Sequence, residues 1–457
     1  MEGAEMENLR LTILGHCVLV GPMLYLVYAQ LRRRGLIGLH TVGSWVLLSA
    51  AAYFVMYPLA AVVFSPSGFF ISRTRLTEGA ERLGWISLVT LLGLGAFYWT
   101  YLSTTPIRNI VALPRGLPQD WLFPIGLCVL AGFFFAVYYG GAFGVRPVAA
   151  EFGQVTLGGG GTGGIHTGMQ TGYQYAGYRL LLFPIVFLLW FPQTRAYGLA
   201  VLVLFVVGRL FVGGDRAATL TPVVAGVILF RRQNPDKPFP RSWLIAAVLL
   251  LAVLVARGHS GINRVGADEL ADKTASAHET LALGGDAGFL PNLYLLSRVV
   301  DKSGYDFGLP VVRIALFGWI PSSIFPEKWS VFSDLIPKYE LSRSEYNAMQ
   351  GNKTTVIGTA YRAGGVVGVV IILAGLGVIG RKIDGLLDRR QPEMVQAYGV
   401  MFLSTIWIVS ASDLEWTLQW VGYASAPYIL MLMMIKRPAR QSLLPDPPQQ
   451  PIKPGTA

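Results

Sequence analysis

Arginine is the residue whose placement in this chain most invites a chemical reading. Arg216 follows Gly213-Gly214-Asp215 and precedes Ala217-Ala218-Thr219-Leu220, between two short apolar runs. A guanidinium there is costly unless it meets an anion or a water-filled cavity. Glycines let backbone approach a ligand closely, and the unpaired N–H groups that open the next helix add a positive end. A diphosphate suits the arrangement, because the guanidinium fork binds phosphate oxygens bidentately. The alternative is a snorkelling arginine paired with Asp215. Arg298, Arg313, Arg343 and Arg362 belong to the same side of the molecule by the loop pattern described below. Singly, each reads as a surface or interface charge. Gathered around one cavity, they form a pyrophosphate-handling site.

Proton transfer needs other groups. His259 and His278 share a long loop with Asp268, Glu269, Asp272 and Glu279. That set is either a solvated acidic face or the source of an acid or base. His16, His40 and His166 are scattered, and neither an HExxH nor a paired-cysteine spacing occurs, so no metal is expected. The Gly-rich run at 157–164 lacks the Gly-Lys-Ser/Thr ending of a phosphate loop and reads as a flexible connector. Nothing resembles an ATP site and no cofactor is expected, so any reaction draws on an already activated substrate.

The elements that must position these groups are membrane helices. The 457 residues are 53% hydrophobic and 14% charged, against about a quarter charged in a soluble domain. Apolar runs near the length needed to cross about 30 Å of hydrocarbon occur at 11–31, 40–64, 84–104, 121–142, 174–192, 197–213, 217–231, 242–257, 355–379, 394–411 and 417–435. The expected fold is therefore an all-α polytopic membrane protein with about eleven spans. The pair flanking Gly213 to Arg216 is short and suggests a broken or hairpinned element.

Basic residues fall after every second span: Arg32 to Arg34, Arg108 with Arg115, Arg195, Arg231 to Arg241, Arg381 to Arg390, and Lys436 to Arg440. The positive-inside rule puts these in the cytoplasm and the N-terminus outside. The chain then divides into 1–257 with eight spans, an extracytoplasmic cap at 258–354, three more spans in 355–435, and a Pro-rich, disordered cytoplasmic tail at 436–457. The first apolar run follows an acidic start and precedes Arg32, the reverse of a cleaved signal peptide, so it stays as a helix. The net charge of +11 is spread in short clusters without a basic helix carrying stacking aromatics, so no nucleic-acid partner is expected. Cys17 and Cys128 lie far apart inside apolar runs, and no disulfide is expected.

Three segments in order, Val212-Gly-Gly-Asp-Arg-Ala-Ala-Thr-Leu, Phe317-Gly-Trp-Ile-Pro-Ser-Ser-Ile-Phe-Pro326 and Thr355-Val-Ile-Gly-Thr-Ala-Tyr-Arg-Ala-Gly-Gly365, resemble the Wzy-type polymerases, including the enterobacterial common antigen polymerase with its Gly-Gly-x-Arg and Ile-Pro-x-x-x-x-Pro arrangement. The likeness covers about 205–370; elsewhere it rests on hydropathy and on a large outer loop. It implies a bacterial inner-membrane enzyme of the helical GT-C type, active on the periplasmic face. Such an enzyme joins oligosaccharide repeats carried on undecaprenyl pyrophosphate, without metal and with inversion at the anomeric carbon. A chain-length regulator is a possible protein partner, and membrane lipid surrounds the spans.

Two departures matter. The related O-antigen ligases place a His-Asn pair before a Gly-x-x-Gly; here Thr354-Thr355 precede Gly365-Val-Val-Gly368, which argues against a ligase. Where the polymerases carry an Arg-acidic-Gly, this chain has Ser412-Asp413-Leu414-Glu415, so Asp413 or Glu415 becomes an alternative base. The competing class is a transporter or flippase of the same lipid-linked oligosaccharide. The lack of an internal repeat weakens that reading.

Overall fold

The computed structural model describes residues 2–64, 76–107, 182–190, 194–212, 216–234, 289–318, 324–337, 355–388 and 393–411, with 129, 132, 320, 391, 414, 418 and 422 as single positions; among them are helices and turns and no strand. Four stretches, Arg10–Arg33, Val42–Ala60, Arg82–Ser103 and Thr355–Leu386, are long and apolar enough to cross a membrane. The chain is thus an all-α protein with membrane-spanning helices. The expected spans at 121–142, 242–257 and 417–435 lie outside the continuous described segments, and the cap is described only at 289–318, 320 and 324–337.

In chain order, α1 is Glu2–Arg33, and α2 (Val42–Ala51) runs through a π turn, Ala52–Met56, into α3 (Tyr57–Phe64). Helix α4 is Leu76–Ser103, α5 Leu182–Trp190, α6 Arg195–Val212 and α7 Arg216–Gln233. Within the cap segment, α8 is Phe289–Ser303 and α9 Leu309–Phe317. The last two are α10, Thr355–Leu386, and α11, Glu393–Ala411.

Lipid offers no hydrophobic drive between helices, so close backbone approach and interhelical hydrogen bonds must hold the bundle. The contact of α4 with α10 uses both. Thr100 Oγ1 donates to the Ala374 carbonyl at 2.8 Å. A Cβ built on Gly377 would lie 2.3 Å from the Phe97 carbonyl oxygen, so only glycine lets these backbones meet. Helices α1, α4 and α10 run parallel: His16 bonds Ser87 and Trp85 bonds Tyr361 toward one end, while Arg34 reaches the Leu102 carbonyl and Tyr101 the Asp384 carboxylate at the other. The α2–α3 segment returns against them, its Val42 N–H donating to Asp384 at 2.8 Å.

Every basic loop that the structure describes converges on the Asp384 end. Gln391 donates to the Ile107 carbonyl just past α4, and Gln396 donates to the Gln391 carbonyl. Arg232 binds Gln396, Gln233 binds the Trp190 carbonyl, and Arg195 binds Gln233. Arg32 to Arg34, Arg195, Arg231, Arg232, Arg381 and Lys382 therefore share one end of the bundle. Helix α8 is not a surface strap. Leu290, Tyr294, Leu295, Ser297 and Val300 are all buried, and the helix packs on α4, α10 and the π turn.

Candidate functional site

The end opposite the basic loops is assembled by the turn that leaves α8. Gly304, at φ 89, reverses the chain after Ser303, and Tyr305 and Asp306 follow. The Asp306 N–H donates to the Arg362 carbonyl at 3.0 Å, and Asp306 Oδ1 accepts the Gly308 N–H at 2.8 Å. The second carboxylate oxygen pairs with Arg362 Nε. Asp306 is buried, and Arg362 keeps a fifth of its side chain exposed. The Asp306 carbonyl also accepts the Leu309 N–H at the start of α9. One acidic residue thus ties the start of α9 to α10.

Helix α10 is broken at this level. Gly365 sits at φ 60, ψ −144, a backbone region essentially reserved for glycine. The break separates a short piece, 355–363, from a 366–386 piece that is about 31 Å long at 1.5 Å per residue. The first N–H groups of the longer piece have no partner within their own helix, and its positive end opens at the break. Tyr305 covers the break: a Cβ on Gly365 would meet its hydroxyl at 2.8 Å. Thr355, which begins the short piece, is buried with φ 66, and exposed Phe307 in the loop has φ 52. Such non-glycine strain persists only where surrounding contacts enforce it.

Arg313 enters from α9, one turn past its start. Burial, with the Arg362 charge added, pulls its guanidinium below the ordinary arginine range, so the two guanidiniums lie within electrostatic reach of each other. One turn further, Phe317 packs edge-on against Phe325 with centroids 5.5 Å apart. The buried Lys328 amine donates to the Ile320 carbonyl, and burial lowers its pKa. These contacts tie Phe317 and Ile320 to the 325–328 segment. On the flank, Trp85 Nε1 donates to the Tyr361 hydroxyl at 3.3 Å, and Arg82 pairs with Asp301 at the surface. That exposed pair is worth at most about 1 kcal/mol.

Of the residues named from sequence, Arg313 and Arg362 come together here. Arg298 lies on α8 one turn before Asp301. Arg216 opens α7, whose other end carries Arg232 among the basic loops; its backbone therefore starts at the same end of the bundle as Arg362. His259, His278, Arg343 and Asp413 lie outside the described residues. Leu414, next in sequence to Asp413, donates its N–H to Thr359 Oγ1 at 3.2 Å, one turn before Arg362 on the short piece of α10. Asp306 and Tyr305 escaped sequence reasoning. Their only signal was the turn-forming string Gly304-Tyr-Asp-Phe-Gly308 between two apolar helices.

Two arginines, one buried carboxylate and an opened helix end stand at this level of the bundle and form a candidate anion site. Among the described residues, no three His, Cys, Asp or Glu side chains gather to hold a metal ion. Set against protein-family models, curated proteins and solved structures, the chain matches none.

Proposed function

We propose that this chain is a glycosyltransferase that joins oligosaccharide repeat units carried on a polyprenyl pyrophosphate, of the Wzy polymerase type. The observation that carries the reading is Arg362, held by buried Asp306 at the break in α10 with Arg313 on the adjoining α9, at the end of the bundle away from the basic loops. The positive-inside rule then assigns that end to the periplasm of a bacterial inner membrane. About eleven spans in a GT-C-like arrangement and an undecaprenyl carrier belong to the same reading.

In the reaction, an acceptor hydroxyl oxygen attacks the anomeric carbon and the bond from that carbon to the pyrophosphate oxygen breaks, with inversion. The electron pair goes to the departing pyrophosphate and the hydroxyl proton to a base. Charge therefore grows on the pyrophosphate in the transition state, where preorganised guanidinium donors have most effect. Arg313, Arg362 and the opened end of the 366–386 piece supply that stabilisation, with Arg216, Arg298 and Arg343 as further ligands. His259, His278 and Asp413 are the candidate bases. The Leu414 N–H bond to Thr359, one turn from Arg362, supports Asp413, its neighbour in sequence.

A lipid-linked oligosaccharide flippase is the second reading, and the broken helix favours it, since transporters use discontinuous helices. The break lies near one end, however. From Arg381 at the basic end back to Gly365 is about 24 Å of helix, well past the midplane of a core about 30 Å thick, so the break lies toward the outer face. The test is purified full-length protein in nanodiscs with a synthetic lipid-pyrophosphate-linked repeat. A ladder of lengthened products is expected. A repeat returned unlengthened by folded protein, or moved between leaflets of vesicles without growth, overturns the polymerase reading.

A further inference from the structure

Arginines at both ends of the bundle have carboxylate partners, Arg362 and Arg82 at one end and Arg381 at the basic end. At the basic end, Arg34 donates instead to the Leu102 carbonyl at 2.6 Å, and Arg195 to the Gln233 amide oxygen at 2.6 Å. Both are fixed in place by neutral acceptors, and neither has a carboxylate partner among the described residues. Arg32 and Arg33, in the last turn of α1, are exposed and have no partner among the described residues. Exposed aromatic side chains stand within the last turns of the same parallel helices: Tyr25 and Tyr28 on α1, and Trp99 on α4. Aromatic rings of this kind sit at the level of lipid headgroups.

We propose that the paired ends of α1 and α4 form a binding surface for anionic phospholipid headgroups, with Arg32, Arg33 and Arg34 meeting the phosphate and Tyr28 and Trp99 flanking the acyl chains. The helix ends oppose this only weakly. Two C-termini contribute roughly −1 charge in total, against three full positive charges. A lipid is favoured over free phosphate because the cations lie directly beyond an apolar, aromatic wall. Each basic side chain near an anionic surface contributes about a fourfold to sixfold gain in binding.

The experiment compares the thermal midpoint of the purified full-length protein in nanodiscs of phosphatidylcholine with nanodiscs containing phosphatidylglycerol. The midpoint is expected to rise with phosphatidylglycerol, and Arg32→Gln/Arg33→Gln to lose most of that rise while matching wild type in phosphatidylcholine. Arg10→Gln, at the opposite end, keeps the rise. Equal midpoints in the two lipids, a full rise in the double variant, or an equal rise from millimolar inorganic phosphate in phosphatidylcholine would each overturn the proposal. Since the readout is stability, the outcome is independent of whether the chain polymerises glycans.

Discussion

Replacing Asp306 with asparagine tests the centre of the candidate site. The substitution keeps the size of the side chain, and its amide oxygen can still accept the Gly308 N–H. It removes the carboxylate that Arg362 faces. Breaking a buried ion pair from one side costs about 3–5 kcal/mol, because the remaining charge keeps its desolvation penalty. Arg362 is 20% exposed whereas Asp306 is 1% exposed, so water relieves part of the stranded guanidinium. The loss should fall at the lower bound, about 3 kcal/mol. Arg362→Gln strands the more buried partner and should cost at least as much. Removing both charges leaves nothing stranded, so Asp306→Asn/Arg362→Gln should cost no more than either single change. The coupling is then at least about 3 kcal/mol, the upper end for contacting residues. Unfolding of the purified chain in mixed micelles, followed by circular dichroism, measures it. Single losses that add to the double loss within about 0.5 kcal/mol would refute a buried, mutually dependent pair. The double variant also separates folding from function, because a well-folded protein without the Arg362 guanidinium should form no product ladder.

Three further outcomes follow from particular residues. Arg216→Ala should lower polymerisation about 10²–10³-fold per folded molecule, with Arg216→Lys recovering only part because it keeps the charge and loses the fork; a near-normal rate for folded Arg216→Ala removes this residue from the site. Gly365→Ala should destabilise by about 1–3 kcal/mol, from its φ of 60° and the contact with Tyr305. Adding Tyr305→Phe should relieve only the steric share, and an unchanged thermal midpoint for Gly365→Ala would contradict the break in α10. His40, an exposed residue of the loop before α2, has its pKa lowered from 6.5 by partial desolvation and then by Arg232. Its neutral form is favoured in the fold, so below pH 6.5 the unfolded chain takes up more protons and stability falls. The wild type should therefore lose stability relative to His40→Gln between pH 7 and pH 5, and a constant difference would exclude the effect.

The long helices were legible because hydropathy alone marks them. The run read at 11–31 is the span Arg10–Arg33, and that at 84–104 is Arg82–Ser103. The reading stops short at α10, which continues from 379 to Leu386. Arg381 and Asp384 ended the apolar run, yet inside the helix they are paired with each other and with Tyr101 and Val42. Hydropathy cannot register that pairing. Nor can it reveal the π turn, because Ala52-Tyr-Phe-Val-Met56 is apolar in either geometry. The Gly364-Gly365 pair stood in a quoted motif but was read through as continuous helix. Arg313 and Arg362 could be named as anion ligands because a guanidinium beside apolar sequence needs a partner. Asp306 could not, because its burial depends on the α8 to α9 turn folding onto a helix much later in the chain.

That turn explains why the two ends of one bundle differ in chemistry. At the basic end Arg381 pairs with Asp384, while Arg34, Arg195 and Arg232 are held by neutral carbonyl and amide oxygens. At the other end α8 is driven inward by its apolar residues against α4 and α10, carrying Asp306 out of water. A carboxylate so buried is stable only if paired, which draws Arg362 toward it and fixes the short piece of α10 at the break. Arg362 is thereby held rigidly while a fifth of its side chain remains accessible, and Arg313 adds a second positive charge within reach of it. A preorganised, partly exposed guanidinium binds an incoming anion without first paying the entropy of ordering itself. The burial of α8 is thus what brings a buried carboxylate to Arg362 at the break in α10.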